Sequence, residues 1–112
     1  MAPQMAKYID TSDVAIVDNF VSAYSAVDPG KWKEFYNQAI QSLKPGLNEI
    51  IFHLAYDNDE MKAITIDHPD YGAAWRQRDF DYVTSNEFKN LLKQTNIHLI
   101  SWGDIQKVMY NK

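Results

Sequence analysis

Pro45-Gly46-Leu47-Asn48-Glu49-Ile50-Ile51-Phe52-His53-Leu54-Ala55-Tyr56 is the stretch on which the fold of this chain turns. Apolar residues fill most of positions 50 to 55, with β-branched and aromatic types among them, so the stretch predicts a buried strand. Pro45-Gly46 marks its start, and the polar run Asp57-Asn58-Asp59-Glu60 marks its end. His53 breaks the pattern as an ionisable ring near the end of an apolar strand. In open α/β sheets and (β/α) barrels, chemistry gathers where strands reach their carboxyl edge. A histidine there is a satisfied core residue, a metal ligand or a proton donor, and spacing alone does not choose among these.

Composition limits the possibilities. The 112 residues support one domain, or part of a larger one. Eleven basic and fifteen acidic side chains give a net charge of −4, which argues against a nucleic-acid surface, where clustered Lys and Arg are needed. A 46% hydrophobic and 13% aromatic content argues against disorder. No apolar run approaches a membrane span, so a soluble chain without membrane contact is expected. Met1-Ala2-Pro3-Gln4 opens no secretory-type apolar segment, and the compartment stays open. The absence of cysteine excludes disulfides, thiol nucleophiles and Cys-based zinc sites.

Outward from the central strand, residues 1–13 show no period and are expected to be irregular. Val14-Ala15-Ile16-Val17 has strand character, and Phe20, Val21 and Tyr24 extend a buried path. Asp28 is placed to cap a helix whose first turn takes Pro29. In that helix Trp32, Phe35, Tyr36, Ala39, Ile40 and Leu43 recur at steps of three and four, forming a core-facing stripe. On the other side, residues 59–64 predict a short helical turn and residues 65–71 a loop carrying Asp67, His68 and Asp70. That loop has no metal-ligand spacing. Residues 73–80 favour helix. Thr84 and Glu87 form a capping-box pattern that opens a helix with Phe88, Leu91 and Leu92 inward and Asn96 at its end. Ile97-His98-Leu99-Ile100-Ser101-Trp102 predicts another strand, with His98 early in it and structural. Ser101 and Asp104 then cap a last helix with Ile105, Val108 and Met109 inward.

Strands alternating with helices imply an α/β fold of parallel strands with right-handed crossover helices. Three strands leave faces and edges in need of cover, so residues 14–112 are expected to be one piece of a larger domain. Exposed sheet edges, with Trp32, Trp75 and Trp102 as large surfaces, make a homo-oligomer the expected outcome for the chain alone.

Four segments in order carry a resemblance. Pro45-Gly46-Leu47-Asn48-Glu49-Ile50-Ile51-Phe52-His53 resembles the late strand motif of the YdjC-like (ChbG/HpnK) carbohydrate deacetylases, in which a Pro-Gly turn leads through Glu to a strand-end His. Trp75-Arg76-Gln77-Arg78-Asp79-Phe80 is similar to the family's downstream Arg with an acidic residue three positions on. Thr84-Ser85, and Ile97 to Trp102 before the last helix, resemble its closing segments. The likeness runs over 45–112 and reaches back to Val14; it departs at Leu54, where the family usually has Pro.

The resemblance implies the C-terminal part of a (β/α) barrel-like deacetylase, a fold that needs about 250 residues. It implies a hydrolase that removes N-acetyl groups from amino sugars or oligosaccharides with a divalent metal, zinc or magnesium. The family's metal motifs (an N-terminal Asp-Asp and two histidines on earlier strands) are not found in this chain, so the piece is expected to bind no metal and to be inactive alone. His53 matches the position of the family's active-site acid. A histidine suits protonation of a departing amine because its ordinary pKa, about 6.5, lies near neutrality. Arg76 is a candidate for holding a carboxylate or sugar oxygen, or else it pairs with Asp79 on the helix surface. Asp67, His68 and Trp75 are further substrate-contact candidates. The alternative is a small stand-alone α/β binding or self-assembling module without catalysis.

Overall fold

The computed structural model describes residues 17–68 and 70–110, Tyr110 by its backbone alone. The expected irregular stretch 1–13 and most of the expected strand 14–17 lie outside the described residues. The chain is α/β. Strand β1 (Asn19–Ser22) and strand β2 (Asn48–Ile51) form a two-stranded parallel sheet, with Asn19 opposite Asn48 and Ser22 opposite Ile51. A 3₁₀ turn (Pro29–Lys31) and helix α1 (Trp32–Gln41) make the crossover between the strands. Helices α2 (Asp59–Ile64), α3 (Ala73–Val83), α4 (Asn86–Gln94) and α5 (Trp102–Tyr110) follow. A parallel pair joined through a helix is what alternating strand and helix patterns lead to. A closed barrel is not formed by these elements.

The register is held at the strand starts. Asp18 donates its N–H to the Leu47 carbonyl at 2.7 Å and accepts the Leu47 N–H on Oδ2 at 2.7 Å. Asn19 Nδ2 donates to Asn48 Oδ1 at 2.6 Å. Gly46 makes this possible, because its φ of +144° and lack of a side chain leave room for the Asp18 carboxylate. A Cβ at Gly46 would lie 2.5 Å from Asp18 Oδ2.

Helix α1 forms as its stripe predicts. Asp28 Oδ1 accepts the Gly30 N–H at 2.7 Å at the entry, and Trp32, Tyr36 and Ile40 are fully covered. They pack against Trp75 and Tyr82 from α3 and Leu91 from α4. Tyr36 stacks on Tyr82 with centroids 5.1 Å apart, and Trp32 meets Trp75 edge-on at 4.8 Å. Such pairs contribute about 0.5–1.5 kcal/mol each beyond the area they bury.

Several expectations give way to tertiary context. Phe20 (53% exposed) and Tyr24 (57%) are not buried; among the described residues the core takes in Ile50 of this short sheet but not Phe20, and Tyr24 lies beyond the end of β1. The central strand ends at Ile51, since the next donor, the His53 N–H, turns to a side-chain carboxylate instead of a strand neighbour. Ser85, not Thr84, caps α4, accepting the Phe88 N–H at 3.1 Å. Thr84 instead closes α3 by donating its hydroxyl to the Phe80 carbonyl. Released from a capping box, Glu87 pairs with Lys33 of α1 at 2.8 Å, and this holds its carboxyl below the usual range.

Residues 97–100 are not a strand. They stand off from β2 across a groove of about 690 Å³ whose wall includes Ile50, Phe52, Leu92, Ile97, Ile100 and Ile105. A strand exists only through a ladder partner, and here a groove lies where one would sit. Leu99, Ile100 and Trp102 are accordingly exposed. Local signals nearby fare better. Asn96 takes φ +56°, the Asn96 N–H reaches the Lys93 carbonyl, and the Ile97 N–H reaches the Leu92 carbonyl, a Schellman ending for α4. Ser101 and Asp104 cap each other reciprocally, the Asp104 N–H donating to Ser101 Oγ at 3.1 Å and the Ser101 N–H to Asp104 Oδ2 at 2.9 Å. On α5, Ile105 and Met109 are half-buried as expected, but Val108 is 75% exposed.

Candidate functional site

The site lies at the carboxyl end of β2 and is organised by Asp79. On α3 the covered positions Trp75, Asp79 and Tyr82 fall at i, i+4 and i+7, so Asp79 occupies the middle of the helix's inner stripe. It is wholly withdrawn from water (0% exposed). Its Oδ1 accepts Trp32 Nε1–H at 2.8 Å and the Tyr36 hydroxyl at 2.7 Å; its Oδ2 accepts the backbone N–H of His53 at 2.8 Å. A buried carboxylate is tolerable when its lone pairs are met in this way. The arrangement fixes the chain just beyond β2 and so places His53. The alternative in which Arg76 pairs with Asp79 on the helix surface is overturned, because Asp79 is in the core.

His53 is half-buried, and its ring lies on Tyr71 with centroids 4.3 Å apart and planes at 32°. Tyr71 in turn lies on Trp75 at 4.7 Å. Tyr71 adopts φ +62°, a left-handed conformation that is uncommon for an aromatic residue and costs about 1–3 kcal/mol. Arg76 steadies it by donating Nε–H to the Tyr71 carbonyl at 2.6 Å. The loop is thereby bent so that its aromatic ring covers the histidine.

Of the expected site residues, His53, Arg76 and Trp75 come together around Tyr71. His68 is exposed and shares a hollow with Trp75; Asp67 is exposed and is not part of that hollow's wall. Trp75 is 5% exposed, yet its Nε1 has no hydrogen-bond acceptor, and neither does Nε of Arg78. A donor withdrawn from water without a partner costs about 1–3 kcal/mol. Arg78 itself lies over the Trp32 ring at 4.5 Å. Sequence reasoning gave neither Asp79 nor Arg78 a site role of its own. The signal for Asp79 was present: a lone carboxylate in phase with Trp75 and Tyr82 on an otherwise apolar stripe.

Among the described residues, no three His, Asp or Glu side chains converge as a metal-binding group. The described residues do not by themselves offer a ligand set for the divalent ion that the deacetylase resemblance implies. No described helix is long and apolar enough to cross a membrane.

A family model described as YdjC-like protein matches residues 2–94. The chain belongs to the YdjC-like family. The match begins well ahead of the central strand and ends at Gln94, so the Ile97–Trp102 likeness lies outside it. No curated protein matches the chain. Membership of the YdjC-like family suggests a carbohydrate deacetylase-like function by resemblance.

The tyrosines around Asp79 make a pH prediction. Burial first, then the hydrogen bond to Asp79 and its charge, push the Tyr36 hydroxyl far above its ordinary 10.0. Burial first, then the charge of Glu87, push Tyr82 up to about 12. Both groups therefore hold their protons more tightly folded than unfolded. Their contribution is intact below pH 10.0, and each lowers stability as pH rises above that value. Between the unfolded and folded values the loss approaches about 1.4 kcal/mol per pH unit for each group. Melts across this range are expected to fall more steeply for the parent chain than for Tyr82→Phe; equal slopes would remove Tyr82 from the account.

Proposed function

We propose that this chain supplies the carboxyl-edge wall of a carbohydrate N-deacetylase active site, as the C-terminal part of a longer (β/α) barrel-like enzyme. The observation that carries the reading is His53, held just past a parallel strand by the buried Asp79 and covered by Tyr71. Hydrolysis of an N-acetyl amino sugar passes through a tetrahedral carbon bearing the amide nitrogen. When the C–N bond breaks, its electron pair goes to nitrogen, which must take up a proton to leave as an amine. His53 as imidazolium gives that proton and becomes neutral imidazole. Arg76, anchored through Nε on the Tyr71 carbonyl, offers its remaining N–H groups to sugar oxygens. Trp75, His68 and Asp67 belong to the substrate side of the same edge. A zinc or magnesium ion in the whole enzyme would supply an activated water, and it would need ligands beyond the described residues.

The chain alone is therefore expected to release no acetate from chitooligosaccharides and to give no tight zinc isotherm in calorimetry. Turnover by the purified chain that stops on adding a chelator would overturn the fragment reading.

A further inference from the structure

Tyr71 carries backbone strain next to a glycine that bears none. Its φ of +62° is left-handed, whereas the adjoining Gly72 sits at φ −74° and ψ −176°, extended backbone open to any residue. Strain of this kind persists only where the surroundings over-determine it. Three contacts do so here. Arg76 Nε–H donates to the Tyr71 carbonyl at 2.6 Å, Trp75 lies against the Tyr71 ring at 4.7 Å, and the His53 ring lies against it at 4.3 Å.

These contacts close a circuit about His53. Asp79 holds the His53 backbone N–H on Oδ2 and Trp32 Nε1–H on Oδ1. Trp32 meets Trp75 edge-on at 4.8 Å, Trp75 meets Tyr71, and Tyr71 meets the imidazole at a tilt of 32°. The main chain of residue 53 and its side chain are thus both located from one buried carboxylate. Among the described residues the imidazole itself makes no hydrogen bond; the anchor is the backbone N–H. A histidine that moves protons is commonly oriented through a carboxylate or carbonyl on one ring nitrogen. Here the face of an aromatic ring takes that part, and it uses neither nitrogen.

We infer that Tyr71 is a positioning residue for His53: its ring, held at a left-handed backbone position, fixes the imidazole plane so that a ring nitrogen is presented to the departing amine of an N-acetyl amino sugar. This role rests on the reading of His53 as the acid and adds how the acid is aimed.

The first measurement is made on the chain itself. Its three histidines give three sets of imidazole C–H signals in NMR spectra, those of His53 being assigned by their loss in His53→Ala. The exposed His68 and His98 serve as references. An aromatic face at 4.3 Å is expected to displace the His53 signals upfield of both. Tyr71→Asn removes the ring, keeps the carbonyl that Arg76 holds and suits the left-handed backbone. It is expected to return the His53 signals toward the references, and Tyr71→Phe, which keeps a ring, to leave them displaced. The second measurement is acetate release by a full-length enzyme carrying this segment. Tyr71→Asn is expected to lower kcat about tenfold to a hundredfold, as for a misaimed catalytic group, with KM within about twofold of the parent. Tyr71→Phe is expected to restore kcat. A ring that served packing alone would shift the melt and leave kcat per folded molecule intact. His53 signals that coincide with the references in the parent, or that ignore Tyr71→Asn, overturn the role, as does unchanged kcat in Tyr71→Asn where His53→Ala is impaired. If His53→Ala is itself unimpaired, the acid reading fails, and the spectra still decide whether Tyr71 holds the ring.

Discussion

Asp79→Ala is expected to remove the cooperative thermal transition of this chain. The substitution withdraws the acceptor from Trp32 Nε1, the Tyr36 hydroxyl and the His53 N–H at once, in a place without access to water. A hydrogen bond to a charged group contributes about 1.5–3 kcal/mol, and stranded donors add their own desolvation cost. Even with strong non-additivity, a loss of about 5 kcal/mol follows, comparable with the whole stability of a typical domain, about 5–15 kcal/mol. Asp79→Asn keeps one acceptor oxygen but turns an NH₂ group toward donors, so an intermediate loss is expected. Asp81→Ala, on the exposed side of the same helix and bonded to Gln77, is the control and is expected to change stability by under about 0.5 kcal/mol. Circular dichroism melts of the three variants decide the matter. If Asp79→Ala melts within about 1 kcal/mol of the parent, the buried carboxylate is not what holds α1, β2 and α3 together.

The second large effect concerns catalysis. In a full-length enzyme carrying this segment, His53→Ala is expected to lower kcat by about 10²–10⁴-fold, the usual contribution of general acid catalysis. Stability should change little, because the bond that anchors residue 53 is made by its backbone N–H, which alanine retains. A purely structural histidine would show the opposite pattern, with the melt shifted and kcat per folded molecule intact. The Asp79 link adds a cross-check, since Asp79→Asn is expected to displace His53 and lower both quantities. Acetate release and thermal melts on the same preparations separate the two roles, and a shifted melt with unchanged turnover would dismiss His53 as the acid.

What was legible in the chain divides along the range of the forces involved. The stripe from Trp32 to Ile40, the turn at Pro45-Gly46, the short helical turn over 59–64, the helix end at Asn96 and the cap at Ser101 and Asp104 could all be read directly. Each depends on residues within about one helical turn of one another, and side-chain period and backbone hydrogen bonding over that distance are local properties. The choice of Ser85 over Thr84 was nearly local and missed by one position, because either hydroxyl is able to cap and the end of α3 claims one of them.

The long-range features could not be read this way. Ile97 to Ile100 has strand composition, but among the described residues no partner strand lies against it; a groove takes that place. Asp79 looked like a surface partner for Arg76 until α3 packed against α1 and enclosed it. The unmet donors of Trp75 and Arg78 became visible only once both side chains were placed beside the opening of α3. By itself, then, the sequence determined the main helices, most of their caps, the alternation of strand with helix and the family resemblance, since these rest on local periodicity and on motif order. The tertiary structure alone decided which polar groups are buried, where β2 stops and what surrounds His53, because burial and partner choice are set by contacts between residues far apart in the chain.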